Sequence, residues 1–415
     1  MRQKLNEPAI NSSKSKIFQQ PMIPGSKLVW VPGPVIIGAG PSGLAAAACL
    51  KTKEIPFLIL EKGSCLASLW QFGTYDRLQL HLPKKFCELP YFPFPPHFPA
   101  YPTKQQFIAY LEAYAKHFAI KPVFRQEARA VQYDPDMGFW QVQACGYEFI
   151  CRWVIVATGE NADPFLPEIE GLGGFRGRTL HTSSYRDGGE FKGKKVLVVG
   201  CGNSGMEVSL DLFDNGADVS LFVRDKLHIL PREILGISTF ALSMLLLKWF
   251  PVKLVDKFLI FVSRLILGDT SRSGIKRPDI GPLELKNSTG KTPVLDFGAF
   301  ARIKSGQIKI VRGIRRFTTN GVEFVDGRVK EFDAAILATG YRSNVTSWLK
   351  EENFFNEKDG YPRTPFPNSW KGNNGLYCIG FTKRGLLGTS MDAQKVAEDI
   401  ARQWNSETRH LKVES

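Results

Sequence analysis

The sequence lacks a C-x-x-C pair, and it lacks an apolar run long enough to cross a bilayer. Its seven cysteines are Cys49, Cys65, Cys87, Cys145, Cys151, Cys201 and Cys378. A disulfide reductase needs a redox pair of thiols beside its cofactor, and none of these cysteines is spaced as one. The odd number of cysteines and the absence of a signal peptide favour a reduced, cytoplasmic location.

The most apolar stretch, residues 234–268, is interrupted by charged residues and a proline. Its longest uncharged run, Ile234 to Leu247, is shorter than the roughly 20 residues that a spanning helix needs. The charges that follow recur at intervals typical of amphipathic helices. We therefore expect helices packed on a domain. Membrane association is expected to be peripheral at most, with the surface of the endoplasmic reticulum as a location for part of the protein.

The composition excludes global disorder and leaves the meaning of a strong positive charge open. Hydrophobic residues make up 43% and charged residues 23% of the chain, which are ordinary globular values. Lys and Arg number 54 against 40 Asp and Glu, a formal net charge of +14. Such a charge suits nucleic acid, a membrane surface or an anionic cofactor. The basic residues form no aromatic-interleaved stripe, so we expect no nucleic-acid partner. We expect no metal either.

Two glycine-rich segments have the form G-x-G-x-x-G. The first follows Val35–Ile37 and contains Gly38, Gly40 and Gly43; the second follows Val196–Val199 and contains Gly200, Gly202, Ser204 and Gly205. Each lies between a short apolar strand and a helix-like segment, which is the context of a dinucleotide-binding turn. The first glycine makes the turn, the second admits a pyrophosphate and the third packs helix on strand. We also expect a bulky residue at Gly43 to collide with the pyrophosphate.

A second repeated pattern, an apolar strand followed by Ala-Thr-Gly, ends at Gly159 and again at Gly340. The order of the motifs predicts an α/β fold with two Rossmann-like dinucleotide-binding domains, one inserted in the other. The predicted boundaries are a flexible leader at 1–29, a discontinuous FAD domain at 30–172 and 331–405, a linker at 173–189, an NADPH domain at 190–330 and a tail at 406–415.

The residue that ends the next strand selects the nucleotide. In the first unit this residue is Glu61, whose carboxylate would bind ribose hydroxyls and repel a 2′-phosphate. In the second unit it is Arg224, whose guanidinium suits a 2′-phosphate and therefore favours NADPH over NADH. We therefore predict FAD in the first unit and NADPH in the second.

A flavin and a nicotinamide together are compatible with several classes of enzyme. A plain reductase would need an electron-accepting partner, about which the sequence is silent. An oxygenase needs only a protected site, because the cofactor carries the difficult chemistry.

The segment between the two fingerprints has the form F-x-G-x-x-x-H-x-x-x-Y, formed by Phe175, Gly177, His181 and Tyr185. It resembles the signature of the class B flavin-dependent monooxygenases. Further segments, from Val35 to Trp404, resemble the YUCCA flavin monooxygenases of plants; these segments are 74–84, 157–162, 230–236, 281–287 and 384–389. The leader lies outside the resemblance.

The resemblance implies an NADPH-dependent enzyme of auxin biosynthesis that acts on a 2-oxo acid and O2. Such an enzyme would convert indole-3-pyruvate to indole-3-acetate by oxidative decarboxylation, through a C4a-(hydro)peroxyflavin. The alternative is an N- or S-oxygenase of small soft nucleophiles, which shares every cofactor motif. The oligomeric state is left open.

The resemblance also suggests roles for individual residues. His81 and Asn161 are the predicted catalytic residues, because the resemblance places His81 near the flavin and Asn161 where relatives have cofactor contacts. Trp70 joins the predicted cofactor-binding set. His181 is expected to fix the linker, and Arg232 to add positive potential beside Arg224.

Overall fold

Strands alternate with helices along most of the chain, as is typical of parallel α/β sheets. The computed structural model describes residues 26–351 and 353–413. The strands are β1 Lys27–Val31, β2 Val35–Ile37, β3 Leu58–Glu61, β4 Val123–Phe124, β5 Ala130–Asp134, β6 Phe139–Ala144, β7 Tyr147–Cys151, β8 Val154–Val156, β9 Asp163–Pro164, β10 Arg178–His181, β11 Lys195–Val199, β12 Asp218–Phe222, β13 Ile229–Pro231, β14 Glu233–Ile234, β15 Ile237–Ser238, β16 Val294–Asp296, β17 Lys309–Val311, β18 Ile314–Thr318, β19 Gly321–Phe324, β20 Val329–Glu331, β21 Ala334–Leu337, β22 Tyr341–Arg342, β23 Leu349–Lys350 and β24 Leu376–Cys378. The helices are α1 Pro41–Lys51, α2 Ser68–Phe72, α3 Lys104–His117, α4 Asn203–Asp214, α5 Thr239–Leu246, α6 Val252–Leu267, α7 Pro282–Thr289, α8 Ala299–Lys304, α9 Val345–Trp348 and α10 Gly385–Val413.

The first fingerprint belongs to a five-stranded parallel sheet with the order β24-β8-β2-β3-β4. Strand β2 is Val-Ile-Ile and is fully buried, as expected for a central parallel strand that is covered on both faces. Helix α1 follows the fingerprint, and its run of alanines is buried in the same core as residues of α3 and α10. Small side chains in α1 let the other two helices approach it closely.

The second fingerprint belongs to another five-stranded parallel sheet, with the order β10-β21-β11-β12-β17. Strand β11 leads into the fingerprint and α4 follows it. The chain leaves the first sheet after β8 and returns to it at β24, so the strands of the second sheet lie between these points in sequence. The predicted α/β class with two Rossmann-like units is confirmed.

Two predicted boundaries are wrong in detail. The second part of the predicted FAD domain, residues 331–405, includes β21. In the structure β21 pairs instead with β10 and β11 of the second sheet. Strand β10, predicted to be part of the linker at 173–189, is an edge strand of the same sheet. A short apolar strand carries no local signal of its partner, because the pairing partner is set by contacts distant in sequence.

The ends of the described chain also differ from the prediction. Most of the predicted leader, residues 1–25, lies outside the described residues, but Lys27 already begins β1, which pairs in parallel with β7. Strand β1 is the edge of a third five-stranded sheet, with the order β1-β7-β6-β5-β23. Helix α10 continues through Val413, into the predicted tail.

Helices α5, α6 and α7 lie between β13 and β16 in sequence and include most of the apolar stretch at 234–268. Their small core consists of Ile234, Val255 and Leu259, with partly buried neighbours from all three helices. In the part of the chain that the structure describes, no helix is both long enough and apolar enough to cross a membrane.

Candidate active site

A cavity of about 590 Å³ lies at the carboxyl edge of the first sheet. Its lining comes from the segments that follow the parallel strands, including Gly38 and Gly40 after β2, Lys62 after β3 and Thr158 after β8. Ligands of open α/β sheets bind at this edge, because the loops there diverge and the helix N-termini face it. The cavity is therefore the candidate site for the first dinucleotide.

The three glycines of the first fingerprint have different surroundings. A Cβ atom at Gly38, which has a φ of +109°, would lie 2.8 Å from the Ala157 carbonyl oxygen, so the first Ala-Thr-Gly turn packs on this glycine. At Gly40 a Cβ atom would meet no atom within 4 Å, and this residue lines the cavity. At Gly43 it would lie 1.9 Å from the Gly38 carbonyl oxygen. The expected collision of a larger residue at Gly43 with the pyrophosphate is therefore wrong, because the turn itself is closer.

The second fingerprint repeats this arrangement. A Cβ atom at Gly200 would lie 2.4 Å from the Ala338 carbonyl oxygen, and one at Gly205 would lie 2.0 Å from the Gly200 carbonyl oxygen. At Gly202 a Cβ atom would meet nothing within 4 Å. Each fingerprint thus has one glycine whose missing side chain leaves open space for a ligand, and one whose missing side chain lets helix and strand touch.

Glu61 holds the first turn together. One carboxylate oxygen accepts a hydrogen bond from the Ala39 N–H at 2.7 Å, and the other accepts from the Gly63 N–H at 2.7 Å and the Ser68 hydroxyl at 3.0 Å. A carboxylate offers about four acceptor positions, so about one remains for a ribose hydroxyl. Glu61 lines the cavity, which places it where the sequence predicts.

Two buried polar atoms in the cavity lining have no hydrogen-bond partner within the described residues. They are the hydroxyl of Thr158 and the side-chain carbonyl oxygen of Gln126. Buried polar atoms are nearly always paired in native proteins, so these two indicate a polar ligand. Together with the open space at Gly40, they fit a bound dinucleotide such as FAD.

Trp70 and Asn161, two of the predicted site residues, also line the cavity. The Trp70 ring packs edge-on against Phe107, with centroids 4.5 Å apart, which fixes its orientation. Asn161 is exposed and follows the first Ala-Thr-Gly turn. Their roles stay predictions.

His81 does not line this cavity. Its Nε2 atom lies 3.4 Å from a carboxylate oxygen of Glu207, which is 1% exposed and belongs to α4 of the second unit. The Tyr75 hydroxyl donates a hydrogen bond to the same oxygen, and the Ser204 side chain lies beside it. Burial and the neighbouring carboxylate raise the pKa of Tyr75 well above its ordinary value, so it remains a donor. His81 therefore lies where the two units meet.

Sequence reasoning missed Tyr75 and Glu207. Only the structure reveals them, because it shows that α4 buries the residues from Gly205 to Leu212, and these include Glu207 and Asp211.

The signature between the fingerprints has a structural role here. The Nδ1 atom of His181 accepts from the Ser183 N–H at 3.1 Å, so its Nε2–H donates to the Gly340 carbonyl at 3.0 Å. Burial lowers the pKa of His181, which favours this neutral form. Tyr185 donates to Asp211 on α4 at 2.5 Å. The contact with Gly340 ties the segment to the second Ala-Thr-Gly turn, and the role of His181 in fixing the linker stays a prediction.

Phe175 and Gly177 complete the signature. The Phe175 ring packs against Phe317, with centroids 5.4 Å apart. A Cβ atom at Gly177 would lie 2.2 Å from the Phe175 ring, so only glycine lets the aromatic ring fold back here.

Comparison with known proteins identifies the chain. The sequence model of the pyridine nucleotide-disulphide oxidoreductases matches residues 35–231. The probable indole-3-pyruvate monooxygenase YUCCA3 of Arabidopsis thaliana is 55% identical over 98% of this chain and 96% of its own length. The indole-3-pyruvate monooxygenase YUCCA6 of the same plant is 58% identical over 92% of this chain and 93% of its own. The chain belongs to the YUCCA family. The predicted resemblance is confirmed.

The fold of this YUCCA family member is also similar to that of solved structures. The structure of OTEMO in complex with FAD and NADP superposes with a TM-score of 0.70, at 17% identity, and covers 91% of this chain and 86% of that one. At this identity the likeness concerns the fold alone.

In this YUCCA family member the predicted 2′-phosphate residue is accessible. Arg224 follows β12, which lies beside β11, and its side chain is 79% exposed. Its guanidinium contacts only the adjacent Asp225 among the described residues, at 3.1 and 3.3 Å. Arg312 follows the next strand, β17, and lies near Cys201 of the fingerprint, where its charge partly offsets the rise that burial causes in the thiol pKa. The sequence analysis missed Arg312.

Arg232 contacts two aromatic rings, and its contribution to the positive potential beside Arg224 stays a prediction. Its guanidinium stacks on the ring of Tyr101 at 3.9 Å and on that of Phe297 at 4.9 Å. It also donates to the side chain of Gln79 at 3.3 Å. These contacts join the second unit to the loop that carries His81.

A cationic cluster lies beside the cavity. It consists of Lys286 on α7 and of Lys383 and Arg384, which precede α10; Gly385, the next residue, lines the cavity. Among the described residues, the carboxylate near this cluster is that of Glu160, which also lines the cavity. Glu160 accepts a hydrogen bond from the Tyr361 hydroxyl at 3.1 Å. Burial raises the pKa of Glu160.

Lys286 is the unusual member of this cluster. Burial lowers the pKa of its amine, the charge of Arg384 lowers it further, and Glu160 opposes both effects. Its ammonium makes no hydrogen bond or ion pair with the rest of the described chain, and its nearest aromatic contact is Phe240, at 5.9 Å from the ring centroid. A half-buried cation that lacks a hydrogen-bond or ion-pair partner is suited to bind an anion.

Proposed function

We propose that the chain is an FAD- and NADPH-dependent monooxygenase that oxidatively decarboxylates indole-3-pyruvate. The balanced reaction takes indole-3-pyruvate, O2, NADPH and a proton to indole-3-acetate, CO2, water and NADP⁺. Membership of the YUCCA family supports the reaction class. The observation that carries the substrate class is Lys286, whose ammonium has no hydrogen-bond or ion-pair partner among the described residues and which belongs to a cluster of three cations beside the candidate flavin cavity.

The first fingerprint and the cavity beside it would hold FAD. Bound FAD would supply the redox chemistry by accepting a hydride from NADPH and activating O2. Gly40 leaves space for the pyrophosphate, and the N-terminus of α1 faces it. Glu61 would bind a ribose hydroxyl, and the unpaired atoms of Thr158 and Gln126 would find their partners on the cofactor.

The second fingerprint would hold NADPH. Gly202 leaves the corresponding space before α4. Arg224 and Arg312 follow adjacent strands, so their guanidinium groups would attract a 2′-phosphate at this edge of the sheet. The OTEMO structure, which contains both nucleotides, shows that this fold accommodates such a pair.

Lys286 would bind the carboxylate of the 2-oxo acid. A bound carboxylate would pair with the desolvated ammonium of Lys286, and Lys383 and Arg384 would add long-range attraction. A protonated amine, by contrast, would be repelled by three cations. The cluster therefore favours a keto acid over the amines of the alternative N-oxygenase reaction.

His81 and Asn161 remain the proposed catalytic residues. Asn161 is near enough to the cavity to contact the flavin or the substrate. His81 would act from the junction of the two units, with its ring held by Glu207. For location, we propose a cytoplasmic protein with peripheral membrane contact.

Product analysis tests the reaction. Reduced enzyme is mixed with O2 and either indole-3-pyruvate, a thioether or a tertiary amine, and products are identified by mass spectrometry. We expect indole-3-acetate and CO2 in step with NADPH consumption. A dominant sulfoxide or N-oxide, with indole-3-pyruvate untouched, would overturn the proposal. Without O2, oxidation of more than one NADPH per flavin in the presence of the substrate would identify a reductase.

A matched pair of variants tests the substrate contact. Lys286→Gln should lower kcat/KM for indole-3-pyruvate about tenfold or more, because a hydrogen bond to a charged group contributes about 1.5–3 kcal/mol. The rate of flavin reduction by NADPH should not change. Lys276→Gln, an exposed lysine of the same unit, is the control. Equal effects of the two variants would remove Lys286 from the substrate site.

A further inference from the structure

Helix α6 exposes a stripe of large apolar side chains. Leu254, Phe258, Phe261 and Leu265 have the spacing i, i+4, i+7 and i+11, which places them on one face of the helix. Their exposed fractions are 50%, 41%, 60% and 69%. We call these four residues the apolar stripe. Soluble surfaces rarely expose so many contiguous large apolar groups, so the stripe indicates a binding surface.

The turn before α6 extends this surface. Trp249 is 80% exposed and Phe250 is 47% exposed, and both come directly before Pro251, the N-cap of the helix. Leu245, near the end of α5, is 54% exposed. Tryptophan is enriched at membrane–water interfaces, where its ring has one apolar and one polar side.

The opposite face of α6 is anchored to the protein. Val255 and Leu259 are buried in the small core beneath it, and the Ser263 hydroxyl donates to the Ile229 carbonyl at 2.9 Å. Asp256 accepts from the N–H groups of Leu283 and Glu284, at 2.8 and 3.0 Å. The orientation of the helix is therefore set by packing, and the stripe faces outward as a result.

Four positive charges flank the stripe, and the exposed carboxylate beside them, Asp269 after the end of α6, is paired with Arg272. Lys248, Lys253, Lys257 and Arg264 are exposed along the turn and one flank of the helix. Between residues 239 and 268 the sequence contains one acidic residue, Asp256, which is 3% exposed and occupied by backbone donors. An exposed apolar stripe with a cationic flank is the pattern of a helix that lies in the surface of an anionic bilayer.

We propose that the turn and outer face of α5 and α6, residues 245–265, bind the surface of an anionic lipid bilayer. This inference gives the surface for the peripheral membrane contact proposed above, on which it rests, and does not depend on the reaction. A second copy of the chain fits less well, because pairing two stripes would bring two flanks of four cations together, and the exposed acid near each flank, Asp269, is already paired with Arg272. The helices lie in the interface rather than across it, since neither can span a membrane.

Vesicle binding of the full-length holoenzyme tests the proposal. The probe is flotation with phosphatidylcholine vesicles that contain or lack phosphatidylserine. We expect binding to the anionic vesicles, little to the neutral ones, and a loss of binding as salt is raised. Absence of flotation with phosphatidylserine vesicles would overturn the proposal.

Variants locate the surface. Phe258→Ser combined with Phe261→Ser should abolish flotation, and each of Lys253→Gln and Lys257→Gln should weaken it about fivefold, since a basic residue near an anionic surface contributes about 1 kcal/mol. The control is Met137→Ser combined with Val329→Ser, two apolar residues that are 48% and 62% exposed elsewhere on the protein.

Activity without vesicles distinguishes lost binding from misfolding. NADPH oxidation in solution should be the same for all of these variants, because none of the substituted residues lines the cavity or belongs to a fingerprint. Equal flotation of the stripe variant and the control would overturn the proposal. So would a dimer in light scattering that the stripe variant alone dissociates, because the surface would then bind a second copy.

Discussion

The cofactor assignment can be tested with two kinds of glycine. Gly40 and Gly202 leave open space in the two fingerprints, whereas Gly43 and Gly205 let helix and strand touch. In Gly43→Ala the new Cβ atom would lie 1.9 Å from the Gly38 carbonyl oxygen, where an ordinary contact needs about 3.4 Å. The backbone must therefore move by about 1.5 Å between a buried strand and a buried helix. Overpacking of this kind usually costs 1–3 kcal/mol, and displacement of backbone places this site at about 3 kcal/mol or more.

Gly40→Ala should behave in the opposite way. Its Cβ atom meets nothing within 4 Å, and its φ of −80° suits any residue, so the empty fold should tolerate it. The methyl group would occupy the space proposed for the FAD pyrophosphate. We therefore expect apo-protein of unchanged thermal stability that retains little flavin.

Thermal unfolding of the apo-proteins and flavin absorbance of the purified proteins provide the two measurements. Gly43→Ala should unfold about 3 °C or more below the parent, because an unfolding entropy of about 2.1 cal/mol/K per residue gives about 1.1 °C per kcal/mol for 415 residues. Gly202→Ala should lose NADPH binding while keeping FAD, and Gly205→Ala should destabilise the fold. Full flavin occupancy in Gly40→Ala, or a Gly43→Ala protein as stable as the parent, would refute the reasoning.

Three further predictions concern single charged groups. Arg224→Ala should weaken the binding of NADPH by about 1.5–3 kcal/mol and leave the binding of NADH unchanged in a titration. An equal loss of affinity for both cofactors would show that the role of Arg224 is merely structural. Glu207→Gln should raise the H2O2 released per NADPH oxidised, whereas Asp214→Asn, an exposed partner of Arg77 on the same helix, should not; matching changes would contradict a specific role in holding His81. Burial raises the pKa of Asp392 from 3.8 to about 7, so its stabilising contribution is complete below about pH 4 and lost as the pH rises through 7. Asp392→Asn should flatten that part of the melting-temperature profile of the apo-protein; an unchanged slope would exclude Asp392 as its source.

Local patterns carried most of the information about fold class and cofactor cradles. A G-x-G-x-x-G turn, the strand before it and the helix after it are neighbours in sequence, so Gly38 and Gly200 could be assigned without knowledge of distant contacts. Glu61 was found in the same way, because the strand that follows the first helix ends beside the turn. The family resemblance rested on equally local segments, and the relatives bear it out.

Tertiary structure decided the features that depend on distant pairings. Strand β21 could join either sheet until its partners β10 and β11 were in place. The contact of His81 with Glu207 spans 126 residues, and that of Tyr75 with Glu207 spans 132, so no sequence spacing announces them. The apolar stripe was visible as a pattern, but the same pattern serves a buried helix. Only the packing of Val255 and Leu259 shows which face of α6 turns outward, because burial depends on the neighbours that the fold provides.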